Sequence, residues 1–560
     1  MSLKSLVSER FPDRIEFKTG DTFSTQLDVK TKVTAFAVQT DKDLRFSLSN
    51  KTAVVAKCTS ENCTFHFYAR LIGCLWELIS FTNHSTCNAD PKTQLKGEIL
   101  SFFLEHDLRA ERALSPTAVR NSLGKSTLSI AKASRVIKMT QQRLLGDPFS
   151  SFSLLPDYLN KIQLKMPGTV AVLEHTLTSE HKPVFKRCFL ALSASISGFK
   201  YTKPLVCVDG THIKTVAGGV LLVACSIDSN GQIFPLCFGL TSGETIDNWS
   251  WFMSLLKENF ENDKLTFISD RNRGIVTAID RHFPDAAHAY CLKHLSDNVR
   301  RNCGKGAGKG SQMLWRLATT NNVRDFEALF HAMPERSRTY VETIERKFWA
   351  DIEFMGRRFG HYTSNLVESL NSVLLPARSE PVCGMIETIL KKMREWWLVR
   401  REDAKSMSGL LTTTADDNYE RTYAKAAYLD VIVIEEEEEE FQVREENKLF
   451  DLKMLDQYCS CKKWQMELFP CIHAMAVFRY LGTRGKEFVD DVYSVNYYKR
   501  SYSDKIYAVN DPILPENEDE LMSAPVTQRR PGRPKKNARL QSFLEKMKGR
   551  KAEVKRVRNE

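Results

Sequence analysis

Between Pro204 and Cys291, short apolar runs, turn signals and amphipathic stretches follow one another in an order that few folds accommodate. Pro204–Val208 is an apolar run that stops at Asp209. Val220–Ile227 and Ile233–Leu240 follow, separated by Asp228-Ser-Asn-Gly, a strong hairpin signal. Trp249–Phe260 has helical periodicity, and Leu265–Ser269 is another apolar run, ending at Asp270. Gly274–His282 is helical again, and Ala287–Cys291 is a last apolar run. Three strands, a helix, a strand, a helix and a strand predict an α/β unit, a mixed sheet with helices on its faces.

With 560 residues the chain is too long for one hydrophobic core, and roughly two to four domains are expected. From Leu27 to Cys87 short alternating runs, among them Val33-Thr-Ala-Phe-Ala-Val and Trp76-Glu-Leu-Ile-Ser-Phe, read as strands. Leu95–Leu145 reads as helical with a break at Ser115-Pro116, and Val170–Phe199 as a linking segment of mixed signals. Helices with a glycine-rich loop, Gly304–Gly310, fill Leu292–Phe354, and Asn365–Trp397 is a further helical region. Strands return at Leu429–Val443, where Glu435–Glu440 reads as a solvated loop. No secretory signal is visible, and the longest apolar runs, such as Gly219–Ile227, fall well short of the ~20 residues a membrane span needs. A soluble intracellular protein without a membrane partner is expected.

Two aspartates thus end two strands that the order makes neighbours, Val206-Cys-Val-Asp209-Gly-Thr-His212 and Thr266-Phe-Ile-Ser-Asp270-Arg. Carboxylates at the C-terminal edge of such a sheet converge on one cleft. Two-metal phosphoryl transfer needs hard oxygen ligands around ions ~3.5–4 Å apart. Glu368, in Thr363-Ser-Asn-Leu-Val-Glu368-Ser-Leu-Asn, is a candidate third acid. On spacing alone, Asp209 and Asp270 also read as strand-end turn residues and Glu368 as a solvated helix face.

Several motifs in fixed order are more specific than any one of these residues. Asp209-Gly-Thr-His212, the Gly243-Glu-Thr-Ile-Asp-Asn-Trp run, Ser269-Asp270-Arg, Phe283-Pro-Asp through Cys291-Leu-Lys-His294, and Ser364-Asn365 to Asn371 resemble the Mutator-like (MULE) transposase domain. The resemblance spans roughly Tyr201–Trp397. It implies an RNase H-like catalytic core with a DDE triad, Asp209, Asp270 and Glu368, holding Mg2+ or Mn2+. The third acid would follow an all-helical insertion, and His212, Cys291 and His294 would support the site.

Fourteen cysteines in a compartment that disfavours disulfides point to metal ligation instead. Cys459-Ser-Cys461 and Cys471-Ile-His473 offer four ligands in fifteen residues, suited to tetrahedral zinc, with a helix predicted from Ala474 to Leu481. The module resembles a SWIM-type zinc finger. Cys58, Cys63, His84 and Cys87 also have zinc-ligand spacing, with His66 and Cys74 able to replace a ligand. They read alternatively as buried free cysteines and a surface histidine. This region resembles the WRKY/GCM-like DNA-binding domain of Mutator-like transposases.

The net charge of +11 is uneven, with about a dozen Lys and Arg in the last 32 residues. Arg529-Arg530-Pro531-Gly532-Arg533-Pro534-Lys535-Lys536 looks like an AT-hook, in which proline holds the chain extended, glycine lets it sit deep and the arginines enter the minor groove, with Arg530, Gly532, Arg533, Lys535 and Lys536 as the expected DNA-binding residues. A nuclear-import signal or a nonspecific polycation fits the same residues. The expected organisation is a zinc-bound β DNA-binding domain (1–92), a helical DNA-binding or dimerisation region (93–165), the core's first part (200–296), the insertion (297–360), the core helix with the third acid (361–400), a β segment with the SWIM finger (425–482), a linker (483–524) and the basic tail (525–560).

The expected function is a nuclear DNA transposase that cleaves at element ends, joins the strand to target DNA, and works as a homo-oligomer. Its DNA partners would be terminal inverted repeats and target sites. The competing expectation is a transposase-derived transcription regulator that binds DNA without cutting it, a pattern followed by related plant light-signalling factors. A zinc-dependent adaptor is a third.

Overall fold

Val33-Thr-Ala-Phe-Ala-Val, expected as a strand, lies inside a helix, Gln26–Gln39, in the computed structural model. Thr25 and Asp28 form a reciprocal capping box that starts the helix, with Asp28 N donating to Thr25 Oγ1 at 3.1 Å. Burial of nearly every residue from Val29 to Val38 removes the polar face that would have revealed the period. The structure describes residues 7–8, 11–40, 42–60, 62–84, 99–101, 117, 119–120, 129–145, 147–260, 262, 264–435, 439–509, 512, 515 and 521–525.

Around that helix, β1 (Thr22–Phe23), β2 (Leu44–Ser49), β3 (Ala53–Cys58), β4 (His66–Ile72) and β5 (Leu75–Thr82) form an antiparallel sheet in the order β1-β5-β4-β3-β2. Its core also takes in Ile99, Leu100, Val119, Ala133, Val136 and Ile137, so described parts of the expected helical region pack with the first domain.

The main sheet has seven strands: β6 (Val170–Leu177), β7 (Pro183–Ala191), β8 (Lys203–His212), β9 (Val220–Ile227), β10 (Ile233–Thr241), β11 (Thr266–Ser269) and β12 (Ala287–Tyr290), in the order β12-β11-β8-β9-β10-β7-β6. Strands β8, β9 and β10 are antiparallel, whereas β11 runs parallel to both β8 and β12. The segment expected as a link, Val170–Phe199, supplies the hairpin β6–β7, which extends the sheet beyond β10, and the helix Ser193–Phe199. All eight residues of β9 are buried, as in a strand covered on both faces. Phe252, on the helix Ile246–Asn259, lies over Gly239, where an added Cβ would come within 2.7 Å of its ring. Phe234 packs against Trp397 of the helix Val382–Ser406 and against Tyr502.

The helices Leu292–Asn302, Ala307–Ala318, Val323–His331 and Glu335–Glu342 share a separate core built around Phe326 and Trp349. The glycine-rich stretch expected as a loop is helical from Ala307, so only its start turns. Asn365–Trp397 is two helices, Asn365–Val373 and Val382–Ser406.

A third sheet, β13 (Asp430–Glu435), β14 (Glu440–Glu445), β15 (Lys448–Lys453) and β16 (Tyr458–Cys459), leads into the helix Ile472–Tyr480. The segment expected as a linker is part of the main core instead. Its helix Val495–Ser501 precedes the fully buried Tyr502, whose hydroxyl donates to buried Asp228 at 2.6 Å. Further on, Ser523 exchanges backbone hydrogen bonds with Pro183 and Phe185. Apolar residues spaced irregularly between turns gave no period there, and only tertiary contact orders them. No helix among the described residues is long and apolar enough to cross a membrane.

Candidate functional site

Parallel pairing of β8 with β11 aligns Cys207 with Ile268, so Asp209 and Asp270 come abreast two residues further on. Asp209 does not end its strand, as expected from sequence. β8 continues to His212, and Asp209 pairs with Val223 of β9. Asp270 does follow the last residue of β11, and its Oδ1 accepts the Asn272 backbone N–H at 2.9 Å. On the other side of β11, Cys291 follows β12 and donates its N–H to Ser269 O at 2.7 Å. Three neighbouring strands therefore carry Asp209, Asp270 and Cys291 to one edge.

Burial, then the nearby Asp270 and Glu244, lift the Asp209 carboxyl to about 7. Asn371, on the helix Asn365–Val373, donates Nδ2–H to Asp209 Oδ2 at 2.9 Å. Glu244 was not singled out from the sequence. It accepts from Asn272 Nδ2 at 3.1 Å, and an added Cβ on Gly210 would sit 2.6 Å from its Cδ. Burial and Asp270 raise the Glu244 carboxyl as well. Its only sequence signal was its place in the Gly243-Glu-Thr run, because it belongs to neither strand. His212 lies at the exposed end of β8, where its carbonyl accepts from Arg378 Nε at 2.9 Å and from a terminal guanidinium nitrogen at 2.7 Å.

Glu368 sits one turn before Asn371 but faces other partners. Its Oε2 accepts from Lys293 Nζ at 2.8 Å, and its Oε1 lies 3.3 Å from Ser364 Oγ and 3.9 Å from His294 Nε2. Burial opposes ionisation, yet Lys293 and then His294 hold this carboxyl below its ordinary value. Among the described residues, Glu368 groups with Cys291 and His294, their ligand atoms within 4.8 Å of one another, and not with Asp209 and Asp270. Cys291 raises His294 to about 9 against the effect of burial, with Glu368 and Asp270 adding to the rise. The expected triad is thus two adjacent aspartates plus a glutamate drawn aside by a lysine.

The cysteine module is tighter. Cys459, Cys461, Cys471 and His473 are all buried, with ligand atoms within 4.8 Å of one another. His473 Nδ1 lies 3.5 Å from Cys459 Sγ and 3.9 Å from Cys471 Sγ, while its Nε2 lies 3.3 Å from Glu445 Oε2. The imidazole thereby turns one nitrogen to the sulfurs and the other to a carboxylate, the arrangement that orients zinc-ligating histidines. Phe450 stacks on the ring with centroids 4.0 Å apart. Cys459 and then Cys471, hydrogen-bonding to Cys461, bring its thiol well below the ordinary value. Three sulfurs and one imidazole nitrogen in one buried pocket fit a closed zinc site.

At the end of β3, Cys58 groups with Cys63 and His84, and His84 Nδ1 lies 3.1 Å from Cys63 Sγ. Cys87 lies outside the described residues, as do Arg530, Gly532, Arg533, Lys535 and Lys536. His66 bonds Ser80 Oγ at 3.3 Å instead of joining the group, and Cys74 is exposed in the β4–β5 turn.

Residues 205–298 match the MULE transposase domain, and residues 441–482 match the SWIM zinc finger. The chain therefore carries a MULE transposase domain whose match contains both aspartates, followed by a SWIM zinc finger whose match contains all four buried ligands. It is similar to Protein FAR1-RELATED SEQUENCE 4 of Arabidopsis thaliana, at 22% identity over 381 residues, covering 59% of this chain and 50% of that protein. The chain spans about half the length of the curated relative it matches.

Proposed function

We propose that this chain is a Mutator-like DNA transposase with an RNase H-like core, which cuts DNA at element ends and joins the freed strand to target DNA. The observation that carries the proposal is the pair Asp209 and Asp270, abreast at one edge of two parallel strands, with the Asp209 carboxyl lifted to about 7 by burial and by its neighbour. Such a pair favours a cation between its members. The strand order β12-β11-β8-β9-β10, three strands antiparallel and two parallel, supports the RNase H-like assignment.

Asp209, Asp270 and Glu368 would hold Mg2+ or Mn2+, which when bound supply activation of the attacking oxygen and charge neutralisation at the reacting phosphate. Asn371 fixes the rotamer of Asp209, and the Asn272 backbone does the same for Asp270. Glu368 must release Lys293 to join them, which frees the ammonium for a DNA phosphate. The Cys58–Cys63–His84 module and the basic tail would locate terminal inverted repeats in the nucleus. Cutting two ends together calls for a homo-oligomer.

The ion pair of Glu368 with Lys293 favours a second reading, a transposase-derived DNA-binding regulator that does not cut. Cleavage and strand transfer on DNA carrying the element ends, with Mg2+ or Mn2+, separate the two. Wild type should nick and join. Asp270→Asn should lose on the order of 10²–10³-fold in rate, since metal stabilisation amounts to several kcal/mol and ~1.4 kcal/mol is tenfold. Tight binding of ends by wild type with no nicking supports the regulator and ends the enzyme proposal.

A further inference from the structure

We propose that Cys291, His294 and Glu368 form a soft-metal site that takes a zinc-class divalent ion and, when filled, keeps Glu368 withdrawn from the acidic edge. The withdrawal rests on the proposed catalytic role of Glu368, whereas the metal site does not.

Two backbones are locked together at this point. Cys291 leaves β12 and caps the helix Leu292–Asn302, which puts His294 in its first turn. The segment leading into the helix Asn365–Val373 is tied to it, with Leu292 N donating to Tyr362 O at 2.8 Å and Ser364 N donating to Cys291 Sγ at 3.3 Å. The three donors therefore converge on a preformed spot, their ligand atoms within 4.8 Å of one another. Cys291 and the His294 imidazole already hydrogen-bond to each other, so thiol and ring face one another at this spot.

The donor chemistry selects the ion. A thiolate, an imidazole and a carboxylate suit zinc, and three protein ligands leave a fourth position open. The acidic edge offers only carboxylate oxygens, which suit magnesium or manganese. Glu368 is common to both sets, so the two sites compete for one side chain. Lys293 neutralises Glu368 when neither ion holds it.

Zinc uptake by the full chain tests the site without any need for activity. Protein whose structural zinc sites are filled and whose excess metal is removed is dialysed against Zn2+, and bound zinc is counted. Wild type should hold about one zinc per chain more than Cys291→Ala. Added Co2+ should give a thiolate-to-cobalt absorption band in wild type that Cys291→Ala lacks. His294→Gln, at a partly exposed side chain, repeats the test if the cysteine variant fails to fold. Equal zinc uptake by wild type and both variants overturns the site. In protein that cleaves DNA with Mg2+, added Zn2+ should inhibit wild type, and uptake without inhibition overturns the withdrawal. Protein that takes up the extra zinc yet never cuts keeps this site and loses the catalytic proposal. Protein that cuts but takes up none does the reverse.

Discussion

The SWIM cluster and the acidic edge of the main sheet both gather side chains of metal-ligand type, but they are built in opposite ways. Cys459, Cys461, Cys471 and His473 come from one short segment, are all buried, and face one another with the His473 ring already turned by Glu445. Asp209, Asp270 and Glu368 come from two strands and a helix separated by a helical insertion, and one of the three is paired with a lysine. A closed set of soft donors holds its ion permanently as part of the fold. An open set of hard donors, with repelling members and an exchangeable third one, can bind and release.

The largest test of that difference is loss of a SWIM ligand. Structural zinc contributes ~10–16 kcal/mol in isolated finger peptides at neutral pH. Here Trp464 and Phe478 of the finger belong to the main core, and Phe488 packs against both. Cys471→Ala should therefore lose zinc and remove hydrogen-exchange protection over residues 458–480, whereas Asp270→Asn should leave that protection intact. Unchanged protection in Cys471→Ala would erase the contrast.

A smaller effect comes from the burial of Asp209 and the repulsion beside it at the acidic edge. Asp209 is raised from 3.8 to about 7, so it binds a proton in the folded chain that the unfolded chain releases. Its contribution to stability is complete below the ordinary carboxylate value and is lost as pH rises through about 7. Metal-free protein should show a falling Tm contribution across that window, and Asp270→Asn should flatten it by removing the nearby charge. Mg2+ should restore stability at the high end of the window. A steeper loss in Asp270→Asn than in wild type would sink the account.

The smallest expected effect is at Glu445, whose side chain is 44% exposed. Glu445→Gln removes the carboxylate that orients His473 while all four ligands remain. Zinc affinity should fall ~10-fold, as for other outer partners of zinc histidines, with the fold intact. Competition with a chromophoric chelator measures it, and a loss matching that of Cys471→Ala would show the finger to be less closed than its geometry implies.

Much of this is legible in the sequence. The order of apolar runs from Pro204 to Cys291 predicted the mixed sheet, and Asp228-Ser-Asn-Gly marked the β9–β10 hairpin. Local spacing picked out Cys459, Cys461, Cys471 and His473, because a cluster made within one segment leaves its pattern in that segment. Three features left no such pattern. The helix Gln26–Gln39 is buried along nearly all its length from Val29 to Val38, which erases its period. The hairpin β6–β7 and the helix Val495–Ser501 carry irregular apolar residues that gain meaning only against the main sheet. Glu244 enters the acidic edge from a loop, where no periodicity exists to flag it.

By itself the sequence determined which residues have donor chemistry and which strands carry them, since donor chemistry and hydrophobic pattern are local properties. Only the tertiary structure decided which donors meet. Parallel pairing of β8 and β11 puts Asp209 beside Asp270, and the approach of the helix Asn365–Val373 gives Asn371 to Asp209 while leaving Glu368 with Lys293, Cys291 and His294. The physical reason is that a side chain a few ångströms away contributes several times the electrostatic energy of one a turn further off. Helix packing fixes that distance, and no count of residues along the chain does.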